Sequence, residues 1–241
     1  MKQYILTLLN HFLGKYLSYN LVHKNLVLGS HIEVWKKIKS AGMIPDAIFD
    51  IGAAKGNWTR ELLNLFPEAS YLLFDPLQEN ELALDILSKS FQKVMHYCCA
   101  LGKNEGELEF YVHANQSSKF SSEWGGEKRK VPLRTLDSFI TEDNLHKNSF
   151  MKIDVQGAEL EVLAGASKIL NSCKVIQVEI SFRKVYDDAP LAHEVIKYFA
   201  EKGFRIFDIV EANRRNHDRS LLQADIFFVS DNDLFKPETW S

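Results

Sequence analysis

Apolar and polar positions along the chain fall into two alternating patterns. Short runs that are apolar almost throughout occur at 47–51, 71–74, 94–100, 150–155, 175–180, 204–210 and 226–229. Segments with apolar residues at three- and four-residue spacing occur at 31–41, 57–66, 78–89, 158–170 and 189–202. The first pattern predicts strands buried on both faces, the second predicts amphipathic helices. Strands of this kind, each followed by a helix, predict a doubly wound, mostly parallel seven-stranded α/β sheet covered on both sides. No helix separates the last two strands, so they predict an antiparallel strand at one edge. Ser30 with Glu33 reads as a capping box for the helix at 31–41, and Gly42 as its left-handed end.

Two stretches depart from the alternation. Near the N-terminus, Tyr4, Ile5, Leu8, Leu9, Phe12, Leu13, Tyr16 and Leu17 make one helical stripe. Asn10, His11 and Lys15 interrupt it, so it predicts a packed or self-associating helix rather than a membrane span. The alternatives for what covers it are the chain's own domain, a homo-oligomer through the N-terminal helices, and a membrane surface, the last disfavoured because only Lys2 and Lys15 are basic there. Between 101 and 148 the pattern predicts a hairpin strand at 107–112 and a polar loop at 115–130, the length of a lid or binding loop.

Composition removes several classes. Of 241 residues, 46% are hydrophobic and 25% charged, which describes a folded globular chain. The formal net charge of −3 gives no basic field for nucleic acid. Cys98, Cys99 and Cys173 lie in apolar runs without a CxxC pair, which predicts reduced thiols and a cytoplasmic location. His193-Glu194 begins like a zinc helix, but Lys197 stands where the second histidine belongs, so no metal is predicted.

The candidate chemistry lies at the strand ends. Asp50-Ile51-Gly52-Ala53-Ala54-Lys55-Gly56 follows the first strand and opens a helix, the place where open α/β sheets bind ligands. It is neither a dinucleotide fingerprint, since Ala54 and Asn57 stand where glycines are needed, nor a phosphate loop. Asp50, Gly52, Ala53 and Gly56 are therefore candidates for holding a cationic ligand. Asp75 ends the second strand, placed to accept hydrogen bonds from ribose hydroxyls or to start a turn. A ribose beside a glycine turn, without a phosphate site, fits S-adenosyl-L-methionine. Asp154 and Glu179 end the fourth and fifth strands, and with Glu159 they form an acidic mouth able to act as base, to orient a hydroxyl, or to recruit a metal. Trp124 and His113, in or beside the polar loop, are candidate substrate contacts.

These segments together resemble the FkbM-type S-adenosylmethionine-dependent methyltransferases. The resemblance rests on Phe49 through Gly56, Phe74-Asp75-Pro76, Cys99-Ala100-Leu101-Gly102, Val131 through Asp137, Lys152 through Gly165, and Val178-Glu179-Ile180. It implies a Rossmann-like methyltransferase domain over 45–235 behind a helical extension at 1–44, and adds Ala100 to the cofactor set. It also implies O-methylation of a hydroxyl on a sugar, glycan or natural product, with Asp154 as first choice for the base and Glu179 second. The family often has Glu where Gln156 stands, so Gln156 receives no catalytic role. The competing readings are a nicotinamide-dependent oxidoreductase and a cofactor-binding protein without chemistry.

Overall fold

The computed structural model describes residues 29–112, 127–140, 147–185 and 189–230. Helix α1 (His31–Ser40) precedes strand β1 (Ala47–Ile51), α2 (Asn57–Leu63), β2 (Ser70–Phe74), α3 (Gln78–Ser90) and β3 (Val94–Tyr97). Strands β4 (Ala100–Leu101), β5 (Gly106–Val112) and β6 (Glu127–Arg134) follow, then β7 (Ser149–Ile153), α4 (Glu159–Ala164), α5 (Ser167–Leu170) and β8 (Cys173–Ser181). Helix α6 (Ala192–Glu201) and strands β9 (Phe204–Arg214) and β10 (Leu221–Ser230) complete the order.

Seven strands make the main sheet in the order β3-β2-β1-β7-β8-β10-β9. The first five are mutually parallel; β10 runs antiparallel to both β8 and β9. The reversed strand is thus one position in from the edge rather than the edge itself. The polar stretch 211–224 mostly extends this hairpin, and only the turn around Asn216 to Arg219 leaves the ladder.

Alternate residues of the strands face two layers. Phe49, Ile51, Phe74, Met151, Ile153, Ile176 and Val178 meet α4, α5 and α6 on one side. Ile48, Tyr71, Leu73, Phe150, Val175 and Phe227 meet α1 and α2 on the other. Trp35 of α1 is fully buried there, stacked on Phe150 with ring centroids 5.3 Å apart. Its indole nitrogen and that of Trp58 both donate to Oε1 of Gln177, at 2.9 and 3.0 Å, so one amide on β8 pins both helices.

Three expectations are corrected by the packing. The run 94–100 is not one strand: the chain breaks at Cys98-Cys99, and β4 joins a separate three-stranded sheet, β4-β6-β5. Residues 127–130 are not loop but the start of β6, paired antiparallel with β5. There Lys128 pairs with Glu109 at 2.7 Å, Lys130 with Glu107 at 3.3 Å, and Arg129 with Glu127 and Glu79, so this basic run is locally neutralised. The helix expected at 158–170 is two helices, because a side chain on Gly165 would lie 2.0 Å from the carbonyl oxygen of Gly102. Asp137 caps the second of them, its carboxylate accepting from the backbone nitrogens of Lys168 and Ile169. Among the described residues no helix is long and apolar enough to cross a membrane. The N-terminal stripe, Trp124 and His113 lie outside the described residues.

Candidate active site

A cavity of about 610 Å³, counting its open mouth, lies at the carboxyl ends of β1, β2 and β7. The small sheet roofs it with Ala100, Leu101, Leu108 and Phe110; Phe74, Pro76, Leu77 and Cys99 continue the apolar lining. Its polar wall is Gly52, Asp75, Asp154 and Gln156. This is the composition of a small-molecule site, an apolar box with a few convergent polar groups.

The glycine turn is shaped by close chain packing. Gly52 has φ +79°, and a side chain there would lie 1.9 Å from the carbonyl oxygen of Asp154. The glycine is required because the chain leaving β1 lies against the chain leaving its parallel neighbour β7, so a Gly52→Val exchange reports on folding rather than on ligand space. Ala54 is also held at positive φ, with its N–H donated to Oδ2 of Asp75 at 2.9 Å. Oδ1 of Asp75 accepts from the backbone nitrogen of Leu77 and from Nδ2 of Asn80. Asp75 therefore starts the turn and also faces the cavity. Three of its roughly four acceptor positions are used, which leaves one for a ligand hydroxyl.

The second turn carries the acidic groups. Gln156 has φ +52° and Gly157 φ +101°, and this twist aims the Gln156 amide back at the sheet. Its Nε2 donates to Glu179 Oε2 at 2.9 Å and to Asp154 Oδ1 at 3.3 Å. Nε2 of Gln223 also donates to Glu179 Oε2, at 3.0 Å. Beneath them the Lys152 ammonium lies 3.2 Å from Asp154 Oδ2 and 3.5 Å from Asp50 Oδ1. Burial opposes its charge, but the Asp154 and Asp50 carboxylates hold its pKa above the ordinary lysine value. Asp225, the β10 partner of Glu179, accepts from Gln177 Nε2 at 2.6 Å.

Burial in this crowded group changes protonation. Glu179 is pushed up to about 8, first by burial and then by the Asp154 and Asp225 charges. Asp225 is raised to about 6, again chiefly by burial. Burial also raises Asp50, against the pull of Lys152 and Thr59. At neutral pH Glu179 therefore holds a proton, while Asp154 lies against an ammonium with its side chain 34% exposed at the cavity. Among the described residues no cluster of three or more His, Cys, Asp or Glu side chains could hold a metal ion.

A model of the methyltransferase FkbM domain matches residues 50–206, more than half of the chain and all of the elements around the cavity. The chain belongs to the FkbM methyltransferase family. It is 27% identical over 186 residues to the 2-O-methyltransferase NoeI of Sinorhizobium fredii, covering 66% of this chain and 73% of that one. It is 26% identical over 177 residues to the hexuronic acid methyltransferase AglP of Haloferax volcanii, covering 67% and 70%. The crystal structure of an FkbM methyltransferase from Methylobacillus flagellatus superposes with a TM-score of 0.51 at 15% identity. That match takes in 75% of this chain and 43% of the other, so the chain spans less than half of that structure. It supports the fold. Family membership makes the protein an S-adenosylmethionine-dependent methyltransferase and sets aside the nicotinamide reading.

Within this FkbM domain the expected residues divide. Gly52, Asp75 and Ala100 line the cavity, and Asp154 and Glu179 meet through Gln156. Asp50, Ala53 and Gly56 do not line it. Asp50 is fully buried, bound to Thr59 Oγ1 at 2.6 Å and facing Lys152. Ala53 packs into the α1–α2 layer. Gly56 caps α2 with φ +73° against Leu87. Glu159 is buried and accepts from the Gly157 N–H at 2.8 Å, which closes its own turn instead of facing an acceptor. Sequence reading passed over Lys152 and Asp225 as site residues and gave Gln156 no role. Lys152 was within reach: two residues before Asp154 on a strand, it must share that face.

Proposed function

We infer that this protein transfers the methyl group of S-adenosylmethionine to a saccharide hydroxyl, with the cofactor in the cavity and the acceptor at Asp154. The observation that carries the reading is one cavity walled both by Asp75 at the end of β2 and by Asp154 at the end of β7. The residues suit the cofactor. Leu77, Leu101, Leu108 and Phe110 offer apolar faces for a purine, and Asp75 has an acceptor position left for a ribose hydroxyl. When bound, the cofactor supplies a methyl group already activated by its sulfonium.

The chain has then to position and to move a proton. Fixing the acceptor oxygen in line is worth roughly 7–11 kcal/mol of barrier. Asp154, ionised against Lys152 and open to the cavity, accepts the hydroxyl proton, a contribution of about 10²–10⁴-fold. Glu179, which does not line the cavity, is protonated near neutral pH and so keeps a second negative charge away from Asp154, which it meets through Gln156. The saccharide class is supported by the names of the two relatives, a 2-O-methyltransferase and a hexuronic acid methyltransferase.

The test is incubation with methyl-labelled S-adenosylmethionine and a panel of neutral hexoses, deoxyhexoses and hexuronic acids, free and in oligosaccharides. Label in a saccharide, stable to mild base as an ether is, is the expected result. Label appearing in protein or RNA and in no saccharide overturns the reading.

A further inference from the structure

Among the described residues Lys152 is the one cation in a buried group of acids, and it does not itself line the cavity. It lies in register between Asp50 on β1 and Gln177 on β8. Its ammonium faces three oxygens: Asp154 Oδ2 at 3.2 Å, Gly52 O at 3.3 Å and Asp50 Oδ1 at 3.5 Å. The ring of Trp58 lies beneath it at 5.9 Å. An ammonium has three donors, so the surroundings match its valence. Asp50 Oδ1 has no hydrogen bond and only this ion pair, and the carboxylate is wholly buried.

We propose that Lys152 is a positioning residue of the acceptor site, anchored by Asp50, which fixes the Asp154 carboxylate at the cavity wall and ties it to the Gly52 carbonyl on the cofactor turn. The inference rests on the reading of Asp154 given above. Both oxygens of Asp154 are held from the protein side, Oδ2 by Lys152 and Oδ1 by Gln156, so their remaining lone pairs are left for the cavity. Without Lys152 the titratable neighbours of this corner are all acids: Asp50, Glu159, Glu179 and Asp225. Repulsion from those that are ionised turns Asp154 away. A buried ion pair kept for stability alone gains little over apolar residues of the same volume, which favours a role in orientation.

The test separates orientation from charge balance. Lys152→Met alone strands Asp50 as an unpaired buried carboxylate and is expected to fold poorly. The double variant Asp50→Asn with Lys152→Met removes both charges and is expected to recover a wild-type melting temperature. In it, kcat on the saccharide that the wild-type enzyme methylates falls by about 10²-fold, as for a misplaced reacting group. KM for S-adenosylmethionine stays within about threefold. The descending limb of the pH–rate profile, where Glu179 loses its proton beside Asp154, moves to higher pH, because Lys152 is the cation that lowers Glu179. A crystal structure of the double variant supplies a readout independent of any acceptor: the Asp154 carboxylate is displaced from its wild-type place. A folded double variant with wild-type kcat and pH profile, or with Asp154 superposing on the wild type, overturns the proposal. A wild-type enzyme that methylates no saccharide counts against the acceptor reading instead, and the crystal structure then decides the role of Lys152 by itself.

Discussion

Asp154→Asn is expected to lower kcat by about 10²-fold or more while leaving cofactor affinity nearly unchanged. The exchange keeps size and shape. Asparagine can still accept from Gln156, but it cannot take up a proton from an acceptor hydroxyl. In this variant the Lys152 ammonium keeps its pair with Asp50 and its bond to the Gly52 carbonyl, so no buried charge is stranded and the variant stays folded. Calorimetry with S-adenosylhomocysteine and turnover on the methylated saccharide form the paired measurement. Loss of cofactor affinity in a folded variant moves Asp154 to the cofactor side of the site. Unchanged turnover removes it as the base and leaves Glu179 as the next candidate.

Glu179→Gln is expected to stabilise the protein, and more so as pH rises. In the folded chain Glu179 titrates at about 8, well above its ordinary value of 4.5. Between those values the folded state holds a proton that the unfolded state has released. Stability from this group is thus full below about 4.5 and declines as pH rises toward 8. Glutamine keeps the acceptor for Gln156 and Gln223 and never ionises. The gain over wild type is then small at pH 4.5 and about 4 kcal/mol at pH 8, about 8–16 °C in melting temperature for a chain of this size. A gain that does not change with pH contradicts the buried, protonated Glu179. If Asp154 alone is the base, the same variant keeps turnover within about tenfold of wild type.

The parallel core was legible because its signals are local. Apolar runs such as 47–51 and 71–74 coincide with β1 and β2 to within a residue, and the Ser30–Glu33 pair with Gly42 bounds α1 as read. The small sheet was legible only in part. The strand read at 107–112 is β5, but β4 is two residues long and β6 opens on four charged residues, so nothing local separates β4 from β3 or the start of β6 from a loop. Gly52 was legible as special, though for a ligand's sake rather than for the approach of Asp154 in a strand about 100 residues later. Asp50 was misplaced for a related reason. A carboxylate one residue before a strand's end points to the opposite face from its neighbour, here into the helix layer where Lys152 waits. Asp225 required the β8–β10 register, which only the assembled sheet provides.

The central claim is that the cavity between the glycine turn and the small sheet is the S-adenosylmethionine site. A calorimetric titration of S-adenosylhomocysteine, run beside one of NADH on the same preparation, tests it most directly. The account predicts one-to-one binding of S-adenosylhomocysteine with a negative heat-capacity change, since its purine buries the apolar faces of Leu77, Leu101, Leu108 and Phe110, and no heat from NADH. Saturable NADH binding with none for S-adenosylhomocysteine would contradict it.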